Sequence, residues 1–75
     1  MSTPSAKLLL AEAIAADASE VPDDACIGVF EPWDSIAHLR LILALEAAIG
    51  RQLDPDEAVA IERLSDIDAL IVAVR

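Results

Sequence analysis

The sequence predicts an all-α protein, a small four-helix bundle with three longer helices and one short helix. Three observations lead there. No segment shows the apolar/polar alternation of a strand. Helix-start signals stand at Pro4, at Asp34-Ser35, at Pro55 and at Ser65. Gly50 supplies a stop at the end of the best-defined helical segment. The 75 residues make one domain, spanning 1–75, and a domain of this size buries only about 60% of its unfolded surface. A deep catalytic cavity is not expected.

The first helix is expected from Pro4, near N1, through the helix formers that end at Ala16, with a stop near Asp17. Residues 19–33 hold Pro22, Asp23, Asp24, Gly28 and Pro32, the composition of a loop. Val21, Ile27, Val29 and Phe30 should pack that loop onto the core, with room for a short helical turn within it. The second helix should run from Ser35 to about Ile49, with Asp34 as N-cap and Gly50 at C′. Pro55, followed by Asp56 and Glu57, starts a short third helix through about Ile61. Ser65 with Asp68 resembles a capping box for a fourth helix that ends near Val74 and buries Ile67, Leu70, Ile71 and Val74.

Composition excludes several classes of function. At 56% hydrophobic the chain is not disordered, and it has no run near 18 apolar residues to span a membrane. Met-Ser-Thr-Pro-Ser is not a signal peptide, so the cytoplasm is the expected location. Cys26 is the sole cysteine and His38 the sole histidine. That excludes an internal disulfide and a recognisable metal-ligand set, and Cys26 reads as a small apolar filler. A net charge of −9 argues against nucleic acid or an anionic membrane as partner. Six carboxylates and no Lys or Arg lie from Asp17 to Asp34, a stretch expected to face water.

The second helix carries apolar residues on two faces when wound at about 100° per residue. Leu41, Ile42, Leu45 and Ile49 fall on one side. Ile36, Leu39 and Leu43 fall on the other with Arg40 and Ala47. A bundle this small cannot fully bury both, so the second strip is expected to meet a partner.

Ser35 opens this helix, where unpaired N–H groups and the positive end of the helix dipole favour a phosphate. Asp34-Ser35-Ile36, Leu39-Arg40-Leu41-Ile42-Leu43-Ala44-Leu45-Glu46 and Ile49-Gly50 resemble the D-S-L motif and second helix of the acyl carrier proteins. Leu53-Asp54-Pro55-Asp56-Glu57 and Leu64-Ser65-Asp66-Ile67 fit the same family, and the likeness covers nearly the whole chain.

The resemblance implies a carrier and not a catalyst. Ser35 would receive 4′-phosphopantetheine from coenzyme A through a separate phosphopantetheinyl transferase, and the terminal thiol would hold cargo as a thioester. Asp34 would present the serine and help organise the transferase's metal ion. Ile36, Leu39, Arg40 and Leu43 match positions that touch partner enzymes, and Leu41, Ile42 and Leu45 match core positions. The implied partners are the transferase, a ligase or transferase that loads an acyl or aminoacyl group, and downstream enzymes of lipid or secondary-metabolite biosynthesis. The carrier itself is expected to be a monomer.

The departures point to a specialised, stand-alone carrier instead of the usual fatty-acid type. Pro32-Trp33 stand where a Gly-x dipeptide is usual. Arg40 replaces a common carboxylate, which suggests a dedicated partner set. His38 replaces a small polar residue and is expected to donate to a loop carbonyl. Chain start at Met1 and the lack of linker-like tails fit independence from a larger synthase.

Two rivals belong to other classes. Asp34, Ser35 and His38 could form a nucleophile set, although the chain hardly supplies an oxyanion site or substrate pocket. An unmodified acidic bundle could instead bind a partner helix on the Ile36-Leu39-Leu43 strip. Within the carrier reading, the D-S-I form and the acidity lean towards acyl cargo, with peptidyl or aminoacyl cargo still open.

Overall fold

The computed structural model describes residues 5–73. Among them are four α-helices, α1 (Ala6–Ala13), α2 (Ser35–Ile49), α3 (Pro55–Ala60) and α4 (Leu64–Ala73), a 3-10 turn at Ala18–Glu20, and no strand. None of these helices is long and apolar enough to cross a membrane.

Local chemistry explains most of the boundaries. Ser5 caps α1, its Oγ accepting the Leu8 N–H at 3.3 Å; Pro4 lies outside the described residues. The helix stops earlier than its composition suggests. Ala15 sits in the left-handed region at φ 58°. The Ala16 N–H bonds the Ala11 carbonyl at 2.9 Å and the Ala15 N–H bonds that of Glu12 at 3.3 Å. This is the Schellman pattern of helix termination with alanine where glycine is usual. The run of helix formers through Ala16 hid it.

α2 has the expected bounds. Asp34 Oδ1 accepts the Ala37 N–H at 2.8 Å, and Gly50 closes the helix at φ 75°, donating to the Glu46 carbonyl at 2.9 Å. α3 starts at Pro55, and Glu57 reaches back to the Asp54 N–H at 3.0 Å. It ends at Ala60, because Ile61 turns into the core. The expected Ser65–Asp68 cap of α4 is corrected. The helix begins at Leu64, and Asp66 Oδ2 takes the N–H groups of Glu62 and Arg63 at 2.9 and 3.2 Å. Ser65 therefore lies within the first turn. Ile67 and Ile71 are buried, Leu70 half-buried, and Val74 lies outside the described residues.

One hydrophobic core joins α1, α2, α4 and the long loop. α1 packs on α2 and α4, and α2 on α4. Leu10, Leu41, Leu45 and Ile67 are completely buried at its centre. Ala6, Ala11 and Ala13 are buried as well, so α1 approaches its neighbours closely. The long loop is stitched to the turn between α3 and α4 by a Cys26–Arg63 bridge and by the Ile27 N–H on the Glu62 carbonyl at 2.9 Å. Val21 is buried and Ile27 and Phe30 are half-buried, as the loop composition predicts. Val29 is the exception at 83% exposure. Cys26 is no core filler: it is half-buried in the bridge, with Sγ 3.4 Å from the Asp24 carbonyl.

Candidate functional site

The start of α2 is positioned by the residue just before it. Trp33 is the largest fully buried side chain of the protein. Its backbone is held as firmly. The Trp33 N–H donates to the Phe30 carbonyl at 2.9 Å, and its own carbonyl accepts the Gly28 N–H at 3.3 Å. Gly28 allows that return with φ 81°, a region where a side chain would be strained. The polar end of the indole is satisfied too: Nε1–H donates to His38 Nδ1 at 3.1 Å, the two rings stacked with centroids 6.1 Å apart.

That bond fixes the state of His38. An indole N–H can only donate, so Nδ1 carries the lone pair and Nε2 the proton. Nε2–H then donates to the Ala58 carbonyl, 2.9 Å away. Ala58 lies in the last turn of α3, where carbonyls lack intrahelical partners. His38 thus meets the expectation that it donates to a carbonyl, and the acceptor is a helix end instead of a loop. Neither ring nitrogen is turned to Ser35.

With Trp33 anchored, Asp34 and Ser35 emerge at the surface. Both are exposed, Ser35 as the first residue of α2. The N–H groups of Ser35 and Ile36 lie in the first turn, where a helix offers them no partner. One oxygen of Asp34 is engaged by the Ala37 N–H and the Asp34 carbonyl by the His38 N–H at 2.9 Å.

The remaining predicted residues share the outer face of α2. Ile36, Leu39 and Leu43 are exposed at 63, 62 and 60%. Arg40 is exposed among them, and no carboxylate pairs with it among the described residues. Glu46, which borders this face, is turned aside to accept the Leu53 N–H at 2.8 Å. The face is consequently apolar with a single cation. The acids of the loop, Asp17, Glu20, Asp23, Asp24 and Glu31, are all exposed, and Lys7 of α1 pairs with Asp23 and lowers its pKa, chiefly through their hydrogen bond.

α3 borders the site and is fastened from its edges, since none of its residues is buried. Arg51 grips Glu57 through two parallel bonds of 3.0 and 2.9 Å. These bonds, with the Asp54 N–H, hold the Glu57 carboxyl well below its ordinary range, at about 2. An open apolar hollow of about 210 Å³ lies between α3 and α4, lined by Glu57, Ala60, Ile61, Asp66, Ala69 and Leu70. Another hollow, about 380 Å³, is lined by Ser5, Lys7, Asp23, Ser65 and Asp68 among others, and by no residue of the site. No cluster of three or more metal-capable side chains occurs among the described residues.

The sequence reading missed the structural office of Trp33 and the His38–Ala58 link. A tryptophan next to a helix cap, five residues before the sole histidine, is the signal that could have pointed to the Trp33–His38 bond; none points to Ala58. Compared with known proteins, the chain matches no protein-family model and no characterised sequence.

Proposed function

We propose that this protein is a carrier of the acyl-carrier type, in which Ser35 bears a 4′-phosphopantetheine arm and presents an acyl or aminoacyl cargo to partner enzymes. The observation that carries the reading is the exposed Ser35 hydroxyl on the first turn of a capped fifteen-residue helix, next to an unpartnered apolar strip on that same helix.

The residues fit the group. A phosphodiester on Ser35 would lie at the positive end of α2, close to two first-turn N–H groups. Asp34 would be a like charge beside it, but its Oδ1 is spent on the Ala37 N–H. Trp33, sealed in the core, holds the loop so that the serine enters a transferase in one orientation. When bound, the arm would supply a thiol on which cargo is kept activated as a thioester. Ile36, Leu39 and Leu43 supply the dry contact for the phosphopantetheinyl transferase, the loading enzyme and downstream enzymes. Arg40 selects among them, favouring partners that set a carboxylate against it.

The nucleophile reading has less support. His38 spends both ring nitrogens on Trp33 and Ala58, which leaves Ser35 without a base.

Intact mass after incubation with coenzyme A, magnesium and a broad-specificity phosphopantetheinyl transferase tests the proposal, with Ser35→Ala alongside. One phosphopantetheine on the natural protein and none on the variant is the expected result. No addition to either would leave the α2 strip as the docking face of an unmodified module.

A further inference from the structure

The Trp33–His38–Ala58 chain is compatible with only one state of the imidazole. Neutral, with its proton on Nε2, the ring accepts from Trp33 at 3.1 Å and donates to Ala58 at 2.9 Å. A proton added to Nδ1 would set two donors against each other and leave the indole N–H of a fully buried tryptophan without an acceptor. The ring is half-buried, so a proton can reach it.

We propose that His38 is a positioning residue: its neutral ring clamps α3 and Trp33 to the start of α2, and protonation opens the clamp and loosens the loop that presents Ser35. The consequence for Ser35 rests on the carrier reading, whereas the clamp itself does not.

The surroundings favour such a device. α3 has six residues, too few to be stable alone, and buries none of them. Its attachments are few: Leu53 before the helix, packed on the core with its N–H on Glu46, the Arg51–Glu57 pair, Ile61 after the helix, and the His38 bond to Ala58 between them. The charged groups on the elements around the ring are Asp34, Arg40 and Glu46 on α2, Glu31 in the loop, Asp54, Asp56 and Glu57 at α3, and Glu62, Arg63 and Asp66 beyond it. None pairs with the imidazole among the described residues, so no neighbouring carboxylate is in place to receive the new charge. The clamp belongs to the neutral ring and is lost when the ring takes up a second proton.

The composition provides the probes. The chain has one tryptophan, no tyrosine and one histidine, so fluorescence reports Trp33 and the imidazole resonances report His38. In the full-length unmodified protein, Trp33 emission and its indole N–H resonance should change reversibly in one step that follows the titration of the His38 ring. Far-UV circular dichroism should stay that of the folded chain through that step. His38→Gln, whose amide can accept and donate at every pH, should abolish it. A step that persists in His38→Gln, an indole resonance that stays fixed while the ring titrates, or a change that merely follows loss of helical signal would each overturn the clamp. Should His38→Gln not fold, Trp33→Phe decides the matter. Without the indole N–H no donor opposes an added proton, so the shift of the Gly28 and Ser35 amide resonances that accompanies the step in the natural protein should be lost, and a shift that persists overturns the proposal. For Ser35, the rate of phosphopantetheine addition to the natural protein, divided by that to His38→Gln at the same pH, cancels the transferase's own pH dependence. This ratio should fall several-fold across the step, and a constant ratio overturns the link to Ser35. No addition to either protein at any pH would defeat the carrier reading, while the spectra still decide the clamp.

Discussion

Trp33→Ala asks how much of the fold is invested in holding the serine loop. Trp33 is completely buried and is the largest side chain to be so. Truncating a buried Phe or Trp to Ala typically costs about 3–5 kcal/mol through lost transfer energy and the cavity left behind. The His38 Nδ1 acceptor would also lose its donor, although a half-buried ring can turn to water and recover part of that loss. Against this stands a total stability of about 4–11 kcal/mol for a chain of 75 residues. The variant should therefore retain about three quarters of its stability at best and fail to fold at worst. Urea denaturation followed by far-UV circular dichroism is the assay, because the substitution removes the only tryptophan. A loss under about 1 kcal/mol with an unchanged m-value would refute the reasoning. It would mean that the loop is held by its backbone bonds and that the indole is incidental.

Ala15→Gly should stabilise the protein by about 1 kcal/mol, since alanine occupies the left-handed position that ends α1 at φ 58°; a lower urea midpoint would contradict the Schellman reading. The Glu57 carboxyl is lowered from 4.5 to about 2, first by Arg51 and then by the Asp54 N–H. A lowered carboxyl stabilises the fold in full above its ordinary pKa and loses that contribution as pH falls towards the folded value. Stability should accordingly decline between those two values, and Glu57→Gln should show a shallower decline over the same window in pH-dependent urea melts. Arg51 is exposed and Glu57 half-buried, so added salt should reduce the difference. Leu43→Glu should change stability by no more than about 0.5 kcal/mol, because the side chain is 60% exposed. It should also slow transferase modification of Ser35 about tenfold, the equivalent of about 1.4 kcal/mol of contact energy. Unaltered modification would remove the strip from the docking surface.

The parts of this molecule that were legible in sequence are those governed by neighbours in the chain. The Asp34 cap, the Gly50 stop and the Pro55 start involve residues within a turn of one another, and α2 has the bounds that they imply. The same reasoning failed where two local signals competed. Ser65 and Asp66 can both cap, and Asp66 prevails because its carboxylate reaches the N–H groups of both Glu62 and Arg63. Ala15 carries no stop signal at all, yet it takes the left-handed conformation that closes α1. The partition of α2 into two faces followed from periodicity alone. The bond between His38 and Ala58, twenty residues apart, depends on how α3 docks, and no spacing rule encodes that.

The outer face of α2 is hard to explain by folding alone. Burying a Leu or Ile fully is worth about 1.5–3 kcal/mol, yet Ile36, Leu39 and Leu43 each remain about three-fifths exposed on one helix face. Polar residues there would give a more soluble surface at no cost to the core, because Leu41 and Leu45 already fill it from the other side. Charge is distributed in the same sense. The chain has a net charge of −9, but this face offers Arg40 and no free carboxylate, while Glu46 is turned away to bond Leu53. A surface so depleted of the molecule's own prevailing charge repels other copies less than the acidic loop does, and would aggregate if nothing limited it. On the proposed docking reading, Arg40 would supply the limit: burying it demands a carboxylate opposite, so casual apolar contacts would be penalised and a partner that provides the counter-charge favoured. Arg40→Glu should accordingly weaken binding to such a partner and leave the fold intact, whereas Arg40→Leu should broaden binding at the expense of selectivity.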